Sequence, residues 1–492
     1  MRLSPSSTLV ALSLLCATSG GILTACGSSD EESTDDSNLL DRDRARGRAT
    51  IHFPATTAGK PDELCVLPKR MKGANYKKDD DKDEAELCSY SFFGTKPRET
   101  SAPFKEVALC PKLSSTNPGT DVHALLDGKT RQQTEDAICK LADRPTTHLA
   151  KYKQSITCSY TPSILGYYHL SRAFGGLGDV KPAVIRTMDL PEHKAIVSEA
   201  LTILKNQPND SYPKVSWLSF QKAESDPATS KYKDSIFTTD LTQVYGGLQV
   251  NARGEDKYAG LNVRGAAPNF HSKFVQTSAY QRLLNTADVS AIAGTTMAAS
   301  AQTIIQMQDI SDMLLIDFLM SQQDRFGNIH SMQYYYYSKD GKIERVKKSK
   351  VDDGSTPMPA GGVLVTKMLL KDNDCGGPTK SNIVKTAKLL DQLRHMSPAT
   401  YKNLRWLAQN FGSNTEIPLF MVTEATFGQK DIDMLRANLA EASTILYNSC
   451  KAGKLKLDLD LAANIAGTGK HNPAWCELAE PAQAVPVAAS GE

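Results

Sequence analysis

The stretch AQTIIQMQDISDMLLIDFLMSQQDRFGN, residues 301–328, decides the interpretation of the fold. Its first twenty residues are apolar on most faces, which predicts a helix over Ala301–Met320 that lies buried in the centre of a domain. A polar loop that contains Asp324 and Asn328 comes directly after this helix. Asp324 is therefore either a turn former that caps the next turn or a carboxylate held at the edge of a core for chemistry.

A second acidic loop follows the first one along the chain. Asp340-Gly341 is a hairpin signal, a polar loop is predicted after it, and the apolar strand Val363–Leu370 then ends at the segment KDNDCGG, residues 371–377. This segment adds two carboxylates, Asp372 and Asp374. Beyond it the pattern predicts three helices: near Asn382–Met396, over Pro398–Gln409 and over Asp431–Cys450.

Upstream of residue 301, the sequence predicts a strand that carries two lysines, then a helix and then a second strand. Residues 147–154 alternate as a short strand that carries Lys151 and Lys153. The helix spacing covers 163–174, with a proline near its start, and strands are predicted over 183–188 and 243–250. Residues 51–145 are rich in Lys, Pro and Cys, and we expect little regular structure there.

Two acidic loops and a strand-borne lysine are the parts that phosphoryl transfer requires of a scaffold. One carboxylate positions the attacking hydroxyl, another holds the divalent ions that bridge the phosphates, and the lysine contacts the phosphates. The candidates are Asp324 as catalytic residue, Asp372, Asn328 and Asp374 as metal ligands, and Lys151 and Lys153 as cofactor-binding residues. The competing interpretations are a tight turn or a calcium loop at residues 372–377 and solvated lysines on the strand.

Five ordered segments resemble the secretory-pathway atypical kinases, the Golgi casein kinase and four-jointed family. They are residues 149–154 for its lysine strand, 169–174 with 180–186 for its helix and proline-bearing strand, Asp324-Arg325 for its catalytic loop, 372–376 for its metal-binding segment, and 389–404 for its closing helices. The resemblance implies an α+β fold with two protein-kinase-like lobes and a cysteine-containing N-terminal extension. It also implies Mg or Mn with ATP or another nucleotide.

The chain departs from that family at two positions of the candidate site. The family's helix carries a glutamate that pairs with the lysine or the metal, whereas residues 163–166 contain none. Glu192 and Glu199 are candidates to replace it. Asp374 stands where the family has a glycine, and we expect Arg325 to brace its loop rather than to touch substrate.

The first 25 residues have the charged start, short apolar run and small-residue exit of an export signal. Residues 23–26, ending in Cys26, resemble a bacterial lipobox, which implies lipidation of Cys26 and a membrane-anchored lipoprotein on the periplasmic or surface face of the cell envelope. Eight further cysteines in an oxidising compartment allow up to four disulfides. No zinc-binding spacing is present, and the net charge of +2 excludes no partner but gives no reason to expect nucleic acid.

The predicted organisation has six parts: a signal peptide (1–25), a flexible tether (26–50), a cysteine-containing region (51–145), a kinase-like N-lobe with an insert (146–300), a helical C-lobe (301–450) and a C-terminal tail (451–492), the last twenty residues loose. The leading hypothesis is an exported kinase that phosphorylates a protein or glycan hydroxyl. The second is a catalytically silent kinase-like module that binds a ligand or protein at the envelope. The third is an unrelated scaffold whose acidic loops are turns.

Overall fold

The computed structural model of the chain describes residues 47–55, 59–93, 104–115, 117–263, 270–413 and 416–482. The predicted signal peptide, the predicted lipidation site Cys26 and most of the predicted tether lie outside the described residues. The structure is mixed α+β with a large antiparallel sheet, as the sequence predicts. Within the described ranges, no helix combines the length and the apolar character needed to cross a bilayer.

Strands and helices are numbered in chain order. The strands are β1 (Ala49–Phe53), β2 (Glu63–Leu67), β3 (Tyr90–Ser91), β4 (Lys105–Glu106), β5 (Ala108–Pro111), β6 (Thr120–His123), β7 (His148–Lys153), β8 (Ala183–Asp189), β9 (Gln243–Val250), β10 (Asp256–Lys257), β11 (His330–Lys339), β12 (Lys342–Lys347), β13 (Val363–Leu369), β14 (His395–Met396) and β15 (Lys456–Leu457).

The helices are α1 (Lys78–Leu87), α2 (Arg131–Ile138), α3 (Thr161–Ala173), α4 (Leu190–Ile203), α5 (Tyr212–Ser225), α6 (Lys233–Ile236), α7 (Phe270–Phe274), α8 (Ser278–Leu283), α9 (Val289–Ala293), α10 (Met297–Leu319), α11 (Lys348–Asp352), α12 (Ile383–Thr386), α13 (Leu389–Gln392), α14 (Pro398–Ser413), α15 (Glu416–Ala425), α16 (Gln429–Lys451) and α17 (Leu461–Ile465). Two short 3-10 helices, Leu177–Asp179 and Pro473–Glu477, complete the assignment.

The main sheet has seven strands in the order β1-β2-β8-β9-β7-β6-β5, and each neighbouring pair is antiparallel. The lysine strand β7 is an inner strand, between β6 and β9, so its register is fixed on both sides. The predicted strands over 147–154, 183–188 and 243–250 are all present. A second sheet joins β10, β11, β12 and β13, and β13 leads into the second acidic loop.

The expectation of little regular structure in residues 51–145 is wrong. This region supplies β1, β2, β5 and β6 to the main sheet, and the tether prediction overran because β1 begins at Ala49. Its strands are four or five residues long, too short for a periodic pattern to stand out. Disulfides Cys65–Cys88 and Cys110–Cys139 tie these strands to neighbouring segments.

A buried ion pair joins this N-terminal region to the body of the sheet. Arg186 Nη2 on β8 donates to Glu63 Oε2 on β2 over 2.9 Å, across 123 residues of sequence. Both side chains are fully buried, and Glu63 Oε1 also accepts from the backbone N–H of Asp189. A buried pair is costly to break because the remaining charge is left unpaired.

The helical part is built around α10, as the sequence predicts, although the helix begins four residues earlier than Ala301. Thr296 caps it by accepting from the backbone N–H of Ala299. The largest core cluster surrounds α10 and includes residues of α3, α14 and α16, whereas a second cluster lies where α4 and α5 cover the main sheet.

Three predictions about the C-terminal half are corrected. Residues 382–396 form two four-residue helices and a strand instead of one helix, because Lys388 adopts a left-handed conformation with φ of 51°. The polar loop after β12 contains α11. The last part of the tail is not wholly loose, since Pro473–Glu477 is helical and Cys476 is bonded to Cys450 at the end of α16. With this third disulfide, Cys375 remains as a buried free thiol in the described part.

The pH dependence of stability is expected to depend on Asp312, a carboxyl in the middle of α10. Its side chain accepts from Thr400 Oγ1 over 2.9 Å, and the residue is only 5% exposed. Burial raises the pKa of Asp312 to about 7. The folded chain therefore keeps a proton that the unfolded chain releases above its ordinary pKa, so this contribution to stability falls as pH rises through that window.

We expect Asp312→Asn to raise the free energy of unfolding at pH 8 by about 1–3 kcal/mol and to change it little at pH 4. Urea unfolding of both proteins at pH 4, 6 and 8 measures the difference. Asp391→Asn, an exposed position on α13, is the control. Parallel pH profiles for Asp312→Asn and wild type would show that the folded chain does not hold this proton.

Candidate active site

The predicted lysines meet Asp372 and Asp374 at β7, an inner strand of the main sheet. Lys151 and Lys153 lie two residues apart on β7 and share one face of the strand. Lys151 Nζ is 3.8 Å from Asp372 Oδ1, and Lys153 Nζ is 2.6 Å from Asp374 Oδ2. The loop after β13 therefore touches the sheet at both lysines, across 221 residues between Lys153 and Asp374.

Asp372 is an ionised carboxylate in a strongly positive environment. Burial raises its pKa, but Lys151, Lys112 and Lys153 outweigh that effect and hold the pKa well below its ordinary value. The backbone at Asp372 has φ of 52°. Residues other than glycine seldom adopt this left-handed backbone conformation, which is concentrated at turns and functional sites.

Asp324 lies within electrostatic reach of the second loop. Its side chain reaches solvent, yet desolvation in the cleft, followed by the charges of Asp374 and Asp372, raises its pKa to about 6. Asp372 and Asp374 thus lie near enough to Asp324 for their charges to raise its pKa. Their mutual repulsion is the condition that a bound cation relieves.

Arg325 joins the two acidic loops, in agreement with its predicted bracing role. It donates from Nε to Asp317 Oδ2 over 2.8 Å, from Nη2 to Asn373 Oδ1 over 2.6 Å and from Nη1 to the carbonyl of Lys371 over 2.7 Å. Tyr167 on α3 donates to Asp317 Oδ1 over 2.7 Å. The guanidinium is buried and its contacts are to protein, so it positions both loops.

Asn328 contacts Asp372 through its amide nitrogen. Its Nδ2 donates to Asp372 Oδ2 over 3.1 Å, while its Oδ1 accepts from Lys257 Nζ over 2.7 Å. Lys257 Nζ also lies 2.8 Å from His330 Nε2. Burial, with the charge of Lys257, lowers the pKa of His330 to about 4 and keeps the imidazole neutral. The only oxygen with which Asn328 can bind a metal is thus engaged by an ammonium group.

The carboxylate that pairs with Lys153 is that of Asp374, in the second acidic loop. The ion pair between Lys153 and Asp374 is almost completely buried, and α3 touches the acidic loop through a hydroxyl, since Ser163 Oγ donates to the carbonyl of Asn373 over 2.6 Å. A carboxylate from the loop itself thus holds the lysine.

Glu192 and Glu199 do not fill the missing position. Both lie on α4, which packs against α5, β5 and β8. Glu192 forms an ion pair with Arg131 over 3.4 Å. Burial, followed by the charge of Glu135, raises the pKa of Glu199. The expectation that one of them replaces the helix glutamate is therefore wrong.

Sequence reasoning missed four charged residues of the site: Lys112, Lys181, Lys371 and Glu255. Burial, with Lys153 next to it, lowers the pKa of Lys112 to about 8. Burial, with Lys151 next to it, lowers the pKa of Lys371 to about 7, although Lys371 also contacts Glu255. No sequence pattern predicts Lys112 as a residue of the site, because it comes near β7 only through the order of the strands in the sheet.

The cleft between the lysines and the acidic loops consists of two adjoining cavities that are partly open to solvent. Both are bounded by Lys151, Gln249 and Asp372. The first is also lined by Lys181, Val250, Asn251, Ala252, Leu370 and Lys371. The second is also lined by Lys153, Ile164, Gly247, Asn373 and Asp374.

The donor set fits a hard divalent cation. Mg²⁺ and Mn²⁺ prefer carboxylate oxygens, and burial, followed by the charges of Asp374 and Asp372, raises the pKa of Asp324. Asp372 and Asp374 would hold the ion, with Asp324 near it. Asn328 would serve as an orienting residue for Asp372 rather than as a ligand.

The described ranges contain two groups of three possible ligands whose atoms lie close together, and neither forms a metal site. Cys450 and Cys476, which lie near His471, are bonded to each other. In the second group, Asp121 and His123 on β6 lie close to His148 on β7. Arg144 donates to Asp121 Oδ2 over 2.9 Å and lies 3.2 Å from His123 Nε2, so a guanidinium fills the place of a cation.

A scan of known family models and a search of curated proteins found nothing that matches this chain. Its function is therefore argued from the chemistry of the cleft.

Proposed function

We propose that the chain is an exported atypical kinase with a two-lobed protein-kinase-like fold, which transfers the γ-phosphoryl group of a nucleotide to a hydroxyl of a protein or glycan. The observation that carries the proposal is the contact between Lys151 and Asp372 at one cleft, with Asp324 near enough for the charges of Asp374 and Asp372 to raise its pKa. The order of elements supports it, since lysine strand, helix, buried helix and two acidic loops follow one another as in the kinase-like family.

In this mechanism the side chains divide the work between binding and proton transfer. Lys151 and Lys112 neutralise phosphate charge, and Asp324 accepts a hydrogen bond from the acceptor hydroxyl. As the new bond from that oxygen to the γ-phosphorus forms, the bond to the β-phosphate oxygen breaks and the hydroxyl proton passes to Asp324, whose pKa lies near neutrality. A divalent cation at Asp372 and Asp374 supplies charge neutralisation when bound.

A silent ligand-binding module is the second candidate, and one observation favours it. All three predicted metal ligands direct an oxygen at an ammonium group: Asn328 at Lys257, Asp374 at Lys153 and Asp372 at Lys151. Such an arrangement favours binding of an anion over turnover. The two candidates share the cleft and differ in whether the bound phosphate is transferred.

We further propose that a lipid on Cys26 anchors the protein at the surface of a bacterial membrane, where the acceptor is met. Three disulfides in the described ranges support an oxidising compartment. The membrane is thus a partner through the anchor alone, and the expected macromolecular partner is a protein or a glycan.

The test is a melting series of the chain from residue 27 onward, with ATP and with Mg²⁺ or Mn²⁺. At a metal–nucleotide concentration one hundred times the dissociation constant, the free energy of unfolding should rise by about 2.7 kcal/mol. Asp372→Asn should abolish this increase because it removes the central carboxylate of the metal site.

Asp340→Asn is a matched control, since Asp340 is an exposed hairpin residue with φ of 50°, close to the 52° of Asp372. It should leave the stabilisation unchanged. If wild type and Asp372→Asn respond alike to metal–nucleotide, Asp372 does not hold the ion. Release of ADP then separates a kinase from a silent module.

A further inference from the structure

We propose that the cleft recognises its donor through a chain of phosphates and not through a nucleobase, so that inorganic tripolyphosphate binds it in place of ATP. This inference rests on the proposed function and specifies which part of the donor the protein recognises. The shared chemistry is a linear polyphosphate, whether it comes from a nucleoside triphosphate or from an inorganic polymer.

The first observation is an excess of lysine around Asp372. Lys151 approaches Asp372 itself, and Lys153 is paired with Asp374. Within the ranges that the structure describes, Lys112 and Lys181 form no ion pair with a carboxylate. Lysine is a compact positive charge suited to phosphate oxygens. The cleft therefore holds positive charge that its own carboxylates leave uncompensated.

The second observation is the lining of the first cavity, the one that contains Lys181. Pockets that bind flat organic ligands are mostly apolar and often aromatic. Here the charged and amide side chains outnumber the three apolar ones, and no lining residue is aromatic: Lys151, Lys181, Lys371, Asp372, Gln249 and Asn251 against Val250, Ala252 and Leu370. A base would find no stacking partner, whereas phosphate oxygens would meet ammonium and amide donors.

The third observation is the continuity of the two cavities. They share Lys151, Gln249 and Asp372, and lysines stand at both ends, Lys153 in one and Lys181 in the other. Gln249 Nε2 donates to the carbonyl of Lys181 over 3.3 Å, which connects β9 to the segment that carries this lysine. A chain of phosphates can follow this row of charges from the metal-binding loop to Lys181.

The test is calorimetric titration of the chain from residue 27 onward, in Mg²⁺, with ATP, GTP, CTP, inorganic tripolyphosphate and adenosine. We expect the three nucleotides to agree within about threefold in dissociation constant, tripolyphosphate to bind within about tenfold of ATP, and adenosine not to bind. Lys181→Ala should weaken ATP and tripolyphosphate together by about fivefold. Lys339→Ala, on an exposed hairpin residue outside both cavities, should weaken neither.

The outcomes separate this inference from the proposed function. Binding of ATP without tripolyphosphate, or a strong preference for adenine, would overturn the inference and leave the kinase proposal standing. Binding of tripolyphosphate alone would support the inference and replace the nucleotide by an inorganic donor. If no phosphate compound binds with metal, both proposals fail.

Discussion

Replacing Asp324 by asparagine is expected to lower the rate of phosphoryl transfer by about 10²–10⁴-fold, the usual contribution of a proton acceptor. Asparagine keeps the shape of the side chain and cannot take up the hydroxyl proton. The backbone N–H of residue 324 still donates to Gln322 Oε1, so the loop should keep its conformation. Metal–nucleotide binding should change little, because Asp372 and Asp374 remain.

The measurement is ADP release in single-turnover experiments, in which water serves as the acceptor until a protein or glycan is identified. Asp340→Asn again serves as the control, since it removes a carboxylate outside both cavities. Equal rates for wild type and Asp324→Asn would exclude Asp324 as the proton acceptor. Nucleotide binding without turnover in the wild type would favour the silent module.

Arg325→Met should produce a large loss of stability, about 3–5 kcal/mol in the free energy of unfolding. Methionine has a similar length and no charge, so Asp317, which is about 1% exposed at its side chain, is left as an uncompensated buried carboxylate. The carbonyl of Lys371 and Oδ1 of Asn373 also lose their donor. We therefore expect metal–nucleotide to stabilise this variant less than it stabilises the wild type.

Urea unfolding of Arg325→Met, Asp317→Asn and the double variant measures the coupling between the two side chains. The double variant should recover part of the loss because it contains no unpaired charge. Arg436→Met, in an exposed pair with Asp433 on α16, should cost less than about 1 kcal/mol. Similar losses at Arg325 and Arg436 would show that Arg325 does not link the acidic loops.

The parts of the site that could be predicted from sequence have strong local patterns. The apolar run before Asp324 and the apolar strand before Asp372 identify buried elements, and side chains at their ends must emerge at an edge of the core. Lys151 and Lys153 alternate on a strand. Each of these patterns spans consecutive residues, so it can be recognised without knowing which elements pack against it in the fold.

The parts that were missed depend on neighbours far away in sequence. Lys112 reaches the cleft only because β5 and β6 stand beside β7 in the sheet. Lys257 approaches Asn328 only because β10 pairs with β11. The pairing of Lys153 with Asp374, where a helix glutamate was expected, follows from the path of a loop. Contacts between residues so far apart in the chain leave no periodic pattern in the sequence.

The buried pair of Glu63 and Arg186 has a consequence for how the chain is made. A ribosome delivers β2 well before β8, so the first hairpin emerges with an acidic group that has no counter-ion until 123 more residues have been synthesised. Loop closure over that distance must precede the gain from the contact. β2 therefore cannot take its place in the main sheet until β8 is available, and a chain that ends before residue 186 lacks the strand with which β2 pairs.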